Sequence, residues 1–210
     1  MSFTTAIASV AAVDPVLEAL IDDVGPIRQR PPDPDGPFGA LVRAIVFQQL
    51  AGRAASVIHQ RVLATIDGPL TPAALTAVSD EALRAAGLSG NKLAALRDLS
   101  TKVLDGTVVL DRALRLSDDD VVERLVTVRG IGRWTAEMFL MFEMRRLDVW
   151  PVDDLGVRQG YALTWALDPA PTARQLQPLG DRFRPYRSVV ARYCWEAVAL
   201  ARRSADPSLR

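Results

Sequence analysis

The chain has 210 residues, of which 49% are hydrophobic, and its 25 basic and 25 acidic side chains give no net charge. This length accommodates one large domain or two small lobes around a sizeable core. Charged residues interrupt the longest apolar runs well before membrane-spanning length and the N-terminus lacks a basic start, so we expect neither a membrane span nor a signal peptide, and a cytoplasmic protein.

Cys194 is the only cysteine, which excludes an internal disulfide and a four-cysteine iron–sulfur cluster. His59, the only histidine, has no cysteine or carboxylate neighbour at ligand spacing, so we expect a surface or hydrogen-bonded core residue and not a metal ligand. Alanine, leucine and arginine dominate, and alternating β-branched runs are short. The predicted fold class is therefore all-α.

The first predicted helix is capped by Asp14 and ends near Val24, and the proline-rich residues 25–37 form a loop. We assign residues 1–36 to an N-terminal helix and linker that pack on the C-terminal lobe. Apolar residues at helical spacing then predict a buried helix, Phe38–Gln49, which Gly52 separates from a second helix over Arg53–Ile66. Shorter helices and a long one over Asn91–Leu104 complete a central lobe of residues 37–112.

Two amides, Gln48 and Gln49, close the strongly apolar first helix of this lobe. Capping of the helix and an exposed tip would explain them. The functional alternative is a tip that enters a DNA groove, with Gln49 or Leu50 as the inserted side chain. The sequence does not choose between these two residues.

A helical hairpin is predicted in the third segment, residues 113–210. Ser117 and three following aspartates start a helix over Asp118–Thr127, and a second helix covers Arg133–Met144. Gly130 and Gly132 lie in the turn between them, where a tight backbone and unpaired helix amides favour a phosphate. An ordinary helical corner is the alternative for this spacing taken by itself.

An extended segment around Pro151 follows the hairpin and ends in the acidic pair Asp153-Asp154. Three further helices are predicted over Leu155–Leu167, Thr172–Gly180 and Pro185–Arg203. Residues 121–210 hold 14 basic and 10 acidic side chains, against 11 and 15 in residues 1–120. The positive excess therefore lies in the half that contains the hairpin, as a phosphate-facing surface requires.

The longer pattern, Leu125-x4-Gly130-Ile131-Gly132-x2-Thr135-Ala136 followed by Pro-Val-Asp-Asp, resembles the helix-hairpin-helix (HhH-GPD) DNA glycosylases. It looks most like the 3-methyladenine DNA glycosylase II (AlkA-like) group. The resemblance implies a two-lobed fold with the active-site cleft between the lobes, and base-excision repair of alkylated purines in double-stranded DNA. It also implies a monomer that associates with the nucleoid through DNA.

The resemblance assigns the catalytic carboxylate to Asp154, while Asp153 is interpreted as the cap of the next helix. Trp134 stands where bifunctional relatives carry a lysine, so no Schiff base and no strand cleavage are expected. Trp195 matches a second tryptophan of the base pocket. Met138 and Leu155 replace tyrosines of some relatives, which leaves the lesion range open, and Phe38 and Phe47 are assigned to the same pocket.

The DNA-binding residues implied by the resemblance lie at three places in the chain. They are Gly130, Gly132, Arg133 and Thr135 in the hairpin, Lys92 at a second corner, and Gln48, Gln49 and Leu50 at the tip. The backbone carbonyls of Val126, Val128 and Gly130 match those that hold a structural Na⁺ or K⁺ in the superfamily. No catalytic cofactor is expected.

Two other functions are compatible with these patterns. One is a glycosylase for mismatched or deaminated bases. The other is a helix-hairpin-helix module that binds DNA structure without chemistry, although such a module needs neither Asp154 nor Trp134.

Overall fold

A computed structural model describes residues 2–110 and 112–205. Within these residues the chain forms α-helices and short helical turns and no strand, which confirms the all-α prediction. The helices are α1 (Phe3–Ala11), α2 (Pro15–Val24), α3 (Gly36–Phe47), α4 (Gly52–Leu63), α5 (Pro72–Ala77), α6 (Asp80–Ala85), α7 (Gly90–Leu104), α8 (Asp118–Leu125), α9 (Arg133–Met138), α10 (Leu155–Thr164), α11 (Ala173–Leu179) and α12 (Arg187–Ala205). None of the described helices is long and apolar enough to cross a membrane.

Polar side chains start most of these helices, as predicted from the sequence. Asp14 accepts hydrogen bonds from the first amides of α2. Ser117 and Asp120 form a reciprocal capping box at the start of α8, and Thr172 and Gln175 form another at α11. Such local chemistry fixes where a helix begins independently of the tertiary structure.

The chain divides into two compact units, one from the described parts of residues 1–30 and 145–210 and the other from residues 31–144. In the first unit α12 packs along α10, and α1 and α2 return to pack against α12. The approach of α10 to α12 is close: a Cβ on Gly160 would lie 1.9 Å from the carbonyl oxygen of Cys194. Only glycine fits at this crossing.

The second unit, residues 31–144, contains α3 to α9. Its core includes the fully buried side chains of Leu41, Ile45, Leu96 and Leu99, where α3 and α7 meet. We predicted that residues 113–144 belong with the C-terminal segment, but the structure places them in this second unit. Hydrogen bonds between residues far apart in sequence explain this boundary, among them the bond from the amide of Asp33 to the carboxylate of Glu143.

Two helix ends differ from prediction. Helix α3 ends at Phe47 and Gly52 begins α4, so the intervening tip starts two residues earlier than expected. The helix that follows the hairpin turn changes after Met138 into a π-helix over Phe139–Glu143. Short 3-10 turns occur at Ala113–Arg115 and Asp181–Phe183.

Candidate functional site

Asp154 is the N-cap of α10. Its Oδ1 accepts a hydrogen bond of 2.7 Å from the amide of Val157. Asp153, which we predicted to be this cap, is exposed and lies one residue too early. The correction has a simple physical reason, because Pro151 and a turn closed by the Asp154 amide bring the second carboxylate of the pair to the helix start.

The same carboxylate oxygen accepts a second hydrogen bond, of 2.9 Å, from Nε1 of Trp195 on α12. Gly156 makes this arrangement possible. A Cβ at that position would lie 2.8 Å from Cδ1 of Trp195 and 3.1 Å from Oδ1 of Asp154. The carboxylate is thus oriented by donors from two different helices.

The segment that leads to Asp154 is held by the first turn of α12. Arg187 is buried and donates two side-chain hydrogen bonds to the carboxylate of Asp148, in a bidentate geometry. Ser188 accepts from the amide of Val149 and donates to the carbonyl of Arg146. These hydrogen bonds fix the backbone of residues 146–149, from which the chain continues to Asp154.

The hairpin turn lies in the second unit. Gly130 has φ +78°, a conformation that other residues adopt with strain, and Gly132 is the extended N-cap of α9. A Cβ at Gly132 would have no other atom of the described residues within 4 Å, so this glycine is open toward solvent. The first amides of α9, which have no partner within the helix, follow directly.

The predicted hairpin residues beyond the glycines differ in exposure. The Arg133 side chain is exposed and forms an ion pair of 3.0 Å with Glu137. Trp134 is 50% exposed, whereas Thr135 is buried. Met138 is half-buried.

The tip between α3 and α4 contains Gln48, Gln49 and Leu50. Gln48, predicted to bind DNA, donates a hydrogen bond of 2.8 Å from Nε2 to the carbonyl of Gly130 and so ties the tip to the hairpin turn. Gln49 is exposed with φ +56°, and Leu50 is also exposed. A non-glycine residue in this conformation at a solvent-exposed tip is typical of a functional loop.

Lys92 is half-buried at the start of α7. Its Nζ donates a hydrogen bond of 2.6 Å to the carbonyl of Val46, in the last turn of α3. Burial lowers the pKa of this ammonium group. The predicted phosphate contact therefore has no support from the position of Lys92, which joins α7 to α3.

The predicted cation site consists of the carbonyls of Val126, Val128 and Gly130. The Gly130 oxygen accepts from Gln48, and the Val128 oxygen accepts from the amide of Ile131 at 3.0 Å. Two of the three oxygens thus already have donors. Each carbonyl oxygen has a second lone pair with which it could coordinate a cation, and the cation site stays an untested prediction.

The aromatic residues assigned to the base pocket differ in burial. Phe38 is buried in the core of its unit, whereas Phe47 is partly exposed, with the Arg43 guanidinium 4.0 Å from its ring centroid. His59 is buried, and its ring and that of Phe47 meet in an edge-to-face arrangement. Its Nε2 lacks a hydrogen-bond partner within the described residues, contrary to the expectation of a satisfied core residue, and burial together with Arg43 lowers its pKa.

Leu155 is 59% exposed, immediately after Asp154. Cys194 is fully buried on α12, and burial raises the pKa of its thiol far above the ordinary range. In the described residues no cluster of histidine, cysteine, aspartate or glutamate has the arrangement of a metal site.

Comparison with known proteins gives a consistent set of similarities. Residues 42–185 match the HhH-GPD family, described as a superfamily of base excision DNA repair proteins. DNA-3-methyladenine glycosylase 1 of Schizosaccharomyces pombe is 33% identical over 204 residues, which cover 95% of this chain and 90% of that protein. DNA-3-methyladenine glycosylase 2 of Escherichia coli is 29% identical over 163 residues, 75% of this chain and 54% of that protein.

Two solved structures share the fold over most of the chain. The 3-methyladenine DNA glycosylase of S. pombe in complex with abasic DNA superposes with a TM-score of 0.81 at 33% identity and covers 94% of this chain and 98% of that one. A DNA-3-methyladenine glycosidase of Bacillus halodurans gives a TM-score of 0.86 at 36% identity, with coverage of 94% and 91%.

Proposed function

The chain belongs to the HhH-GPD superfamily of base excision DNA repair proteins, and from this premise we propose that it is a DNA glycosylase that excises alkylated purines of the 3-methyladenine type. It hydrolyses the N-glycosidic bond and leaves an abasic site. The observation that carries the proposal is the Asp154 carboxylate, held at the start of α10 by the Val157 amide and the Trp195 indole. The similar proteins of S. pombe and E. coli are named for the same lesion.

Excision of a base requires the nucleotide to leave the helical stack, because the anomeric carbon is shielded within the duplex. As the bond to the base lengthens, the sugar becomes oxocarbenium-like and gains positive charge. A carboxylate that is already oriented stabilises this charge without having to reorganise. Asp154 has that property, since two donors fix one of its oxygens.

Trp134 decides the type of reaction. A lysine at this position would attack the sugar as an amine and lead to strand cleavage. Tryptophan offers no amine, so the proposed enzyme is monofunctional and stops at the abasic site. Its exposed indole also suits bases alkylated at ring nitrogens, because these carry positive charge and an aromatic face attracts cations.

The proposed DNA contacts follow the hairpin and the tip. Gly130 and Gly132 allow a phosphate to approach the first amides of α9, and the guanidinium of Arg133, which is paired with Glu137, lies exposed in the first turn of that helix. Gln49 and Leu50 are the exposed side chains of the tip and the candidates to fill the gap left by an extruded base. Gln48, through its hydrogen bond to the Gly130 carbonyl, and the buried Thr135 support this surface.

The proposed partner is double-stranded DNA that contains alkylated bases, bound by a monomer. Glycosylases for mismatched or deaminated bases remain the alternative, because Leu155 and Met138 stand where some relatives have tyrosines and the replacement changes the stacking surface. Incubation with duplexes that contain 3-methyladenine, 7-methylguanine, 1,N6-ethenoadenine or uracil, followed by chromatography of the released bases, separates the two. Release of 3-methyladenine supports the proposal. Release of uracil alone would contradict it and indicate a glycosylase for deaminated bases.

A further inference from the structure

One face of α7 carries four residues at helical spacing, and all four meet the hairpin turn. Asn91 accepts a hydrogen bond from the Arg129 guanidinium at 3.3 Å. The Cβ of Ala95 would lie 3.4 Å from a Cβ built on Gly130. The other two residues, Asp98 and Lys102, bind the backbone of the turn directly.

Asp98 and Lys102 hold the two peptide groups that flank Val128. Oδ2 of Asp98 accepts a hydrogen bond of 2.7 Å from the Arg129 amide and one of 2.8 Å from Nζ of Lys102. The same Nζ donates to the carbonyl of Thr127. One ion pair thus fixes both a donor and an acceptor of the turn backbone just before Gly130.

A carboxylate at this place is electrostatically unfavourable for DNA binding taken alone. The turn that it binds leads into the amides of α9 that are proposed to meet a phosphate, and like charges within about 10 Å repel each other at moderate salt. Burial works to raise the pKa of Asp98, but the hydrogen bonds from Lys102 and Arg129 outweigh it and lower the pKa, so the group is ionised at neutral pH. Because the Asp98 carboxylate by itself weakens DNA binding, we expect it to stabilise the turn in a way that offsets this repulsion.

We propose that Asp98, paired with Lys102, is the positioning residue of the phosphate-binding turn: it acts through the Arg129 amide to hold the turn in its binding conformation. This inference rests on the proposed function and extends it from the turn to α7. Asp98 does not touch DNA. Its contribution appears as duplex affinity, whereas the excision step depends on Asp154.

The two possible roles of Asp98 predict opposite signs for its removal. Loss of a mere surface charge strengthens the binding of DNA, because one repulsion disappears. Loss of a positioning residue weakens it. We expect Asp98→Ala to bind undamaged duplex about tenfold more weakly, the equivalent of losing one charge-assisted hydrogen bond. Glu123→Ala is the matched control, since Glu123 is an exposed carboxylate on α8 that makes none of these contacts, and it should bind equally well or more tightly.

The measurement is fluorescence anisotropy on an undamaged duplex, well below the melting temperature of each variant, together with single-turnover excision at saturating enzyme. For Asp98→Ala the dissociation constant should rise while the saturating excision rate stays near that of the parent. An affinity equal to or tighter than the parent's would overturn the inference, and so would a loss confined to the saturating rate.

A second variant keeps the test decisive if Asp98→Ala does not fold. Ala95→Leu changes no charge but fills the space against Gly130, so it should weaken duplex binding as well. Unchanged affinity in a folded Ala95→Leu protein would count against α7 as the support of the turn. A parent protein that binds duplex but releases no base would refute the proposed function. The duplex affinities of the parent and of Asp98→Ala could still be compared, so the inference about Asp98 would be tested separately.

Discussion

Nε1 of Trp195 donates a hydrogen bond of 2.9 Å to Oδ1 of Asp154, the oxygen that also accepts from the Val157 amide at 2.7 Å. One carboxylate oxygen therefore joins the middle of α12 to the start of α10. Two donors on separate helices define the orientation of the group more tightly than a helix cap does by itself. An ordered carboxylate is what charge stabilisation during base release requires.

Substitution of Gly156 tests whether the orientation of the Asp154 carboxylate matters for excision. In a helix, Gly→Ala normally stabilises by about 0.5–1 kcal/mol, because alanine loses less backbone entropy. Here the new Cβ would lie 2.8 Å from Cδ1 of Trp195 and displace the indole from Asp154. We expect Gly156→Ala to fold and to excise alkylated bases at least about tenfold more slowly, by analogy with removal of one group that preorganises a charge.

Gly160→Ala is the contrasting variant in the same helix. Its Cβ would collide with the backbone of Cys194, so it should lower the melting temperature. Parental excision by Gly156→Ala, measured per folded molecule in single turnovers, would show that the Trp195 contact is dispensable.

Substitutions at Gly130 and Gly132 distinguish the effect of conformational strain from the effect of blocked contact with DNA. Gly130 has φ +78°, so Gly130→Ala should lower both the melting temperature and the affinity for undamaged duplex. Gly132 has an ordinary φ and open space around it, so Gly132→Ala should melt like the parent. Weaker duplex binding by a fully stable Gly132→Ala protein is expected from the close approach of a phosphate. Unchanged binding would refute the anion site at the start of α9.

The absence of a lysine at position 134 predicts no covalent intermediate. After incubation with methylated duplex, the product strand should remain intact until alkali or an abasic endonuclease is added. Borohydride should trap no adduct between enzyme and DNA, while a lyase-type glycosylase on its own substrate serves as the positive control. A trapped adduct would contradict the monofunctional assignment.

Cys194 gives a prediction about stability and pH. Burial, followed by the negative charge of Asp154, raises the pKa of the folded thiol, whereas the unfolded thiol titrates near the usual value of about 8.5. Above that pH the unfolded chain loses a proton that the folded chain keeps, so the free energy of unfolding falls as pH rises. Cys194→Ala should lose this slope between about pH 8.5 and 10 in urea titrations. Equal slopes in parent and variant would indicate that the thiol is not buried as described.

Helix starts were predictable from sequence because their causes are local. Asp14, Ser117 and Thr172 cap helices with hydrogen bonds to amides two or three residues away. The turn glycines Gly130 and Gly132 and the acidic pair Asp153-Asp154 could be recognised in the sequence for the same reason. Which member of the pair caps α10 was predicted wrongly, because the answer depends on the turn after Pro151 and not on residue type.

Long-range pairs could not be predicted in this way. Gln48 and Gly130 are 82 residues apart, and Asp98 and Arg129 are 31 apart. Nothing in the local pattern around Asp98 distinguishes it from a solvated helix charge. The unit boundary was misplaced for the same reason, since tertiary contacts decide with which unit the hairpin packs.

The decisive measurement is the single-turnover rate of 3-methyladenine release from methylated duplex by Asp154→Asn, with Asp153→Asn as the matched control. Asparagine keeps the oxygen that caps α10 and accepts from Trp195, so this variant should fold and bind DNA about as well as the parent. It lacks the negative charge, so excision should slow by about 10²–10³-fold, roughly 3–4 kcal/mol. Asp153 is exposed, and its variant should excise near the parental rate. Parental excision by Asp154→Asn, with loss in Asp153→Asn instead, would contradict the assignment of the catalytic carboxylate.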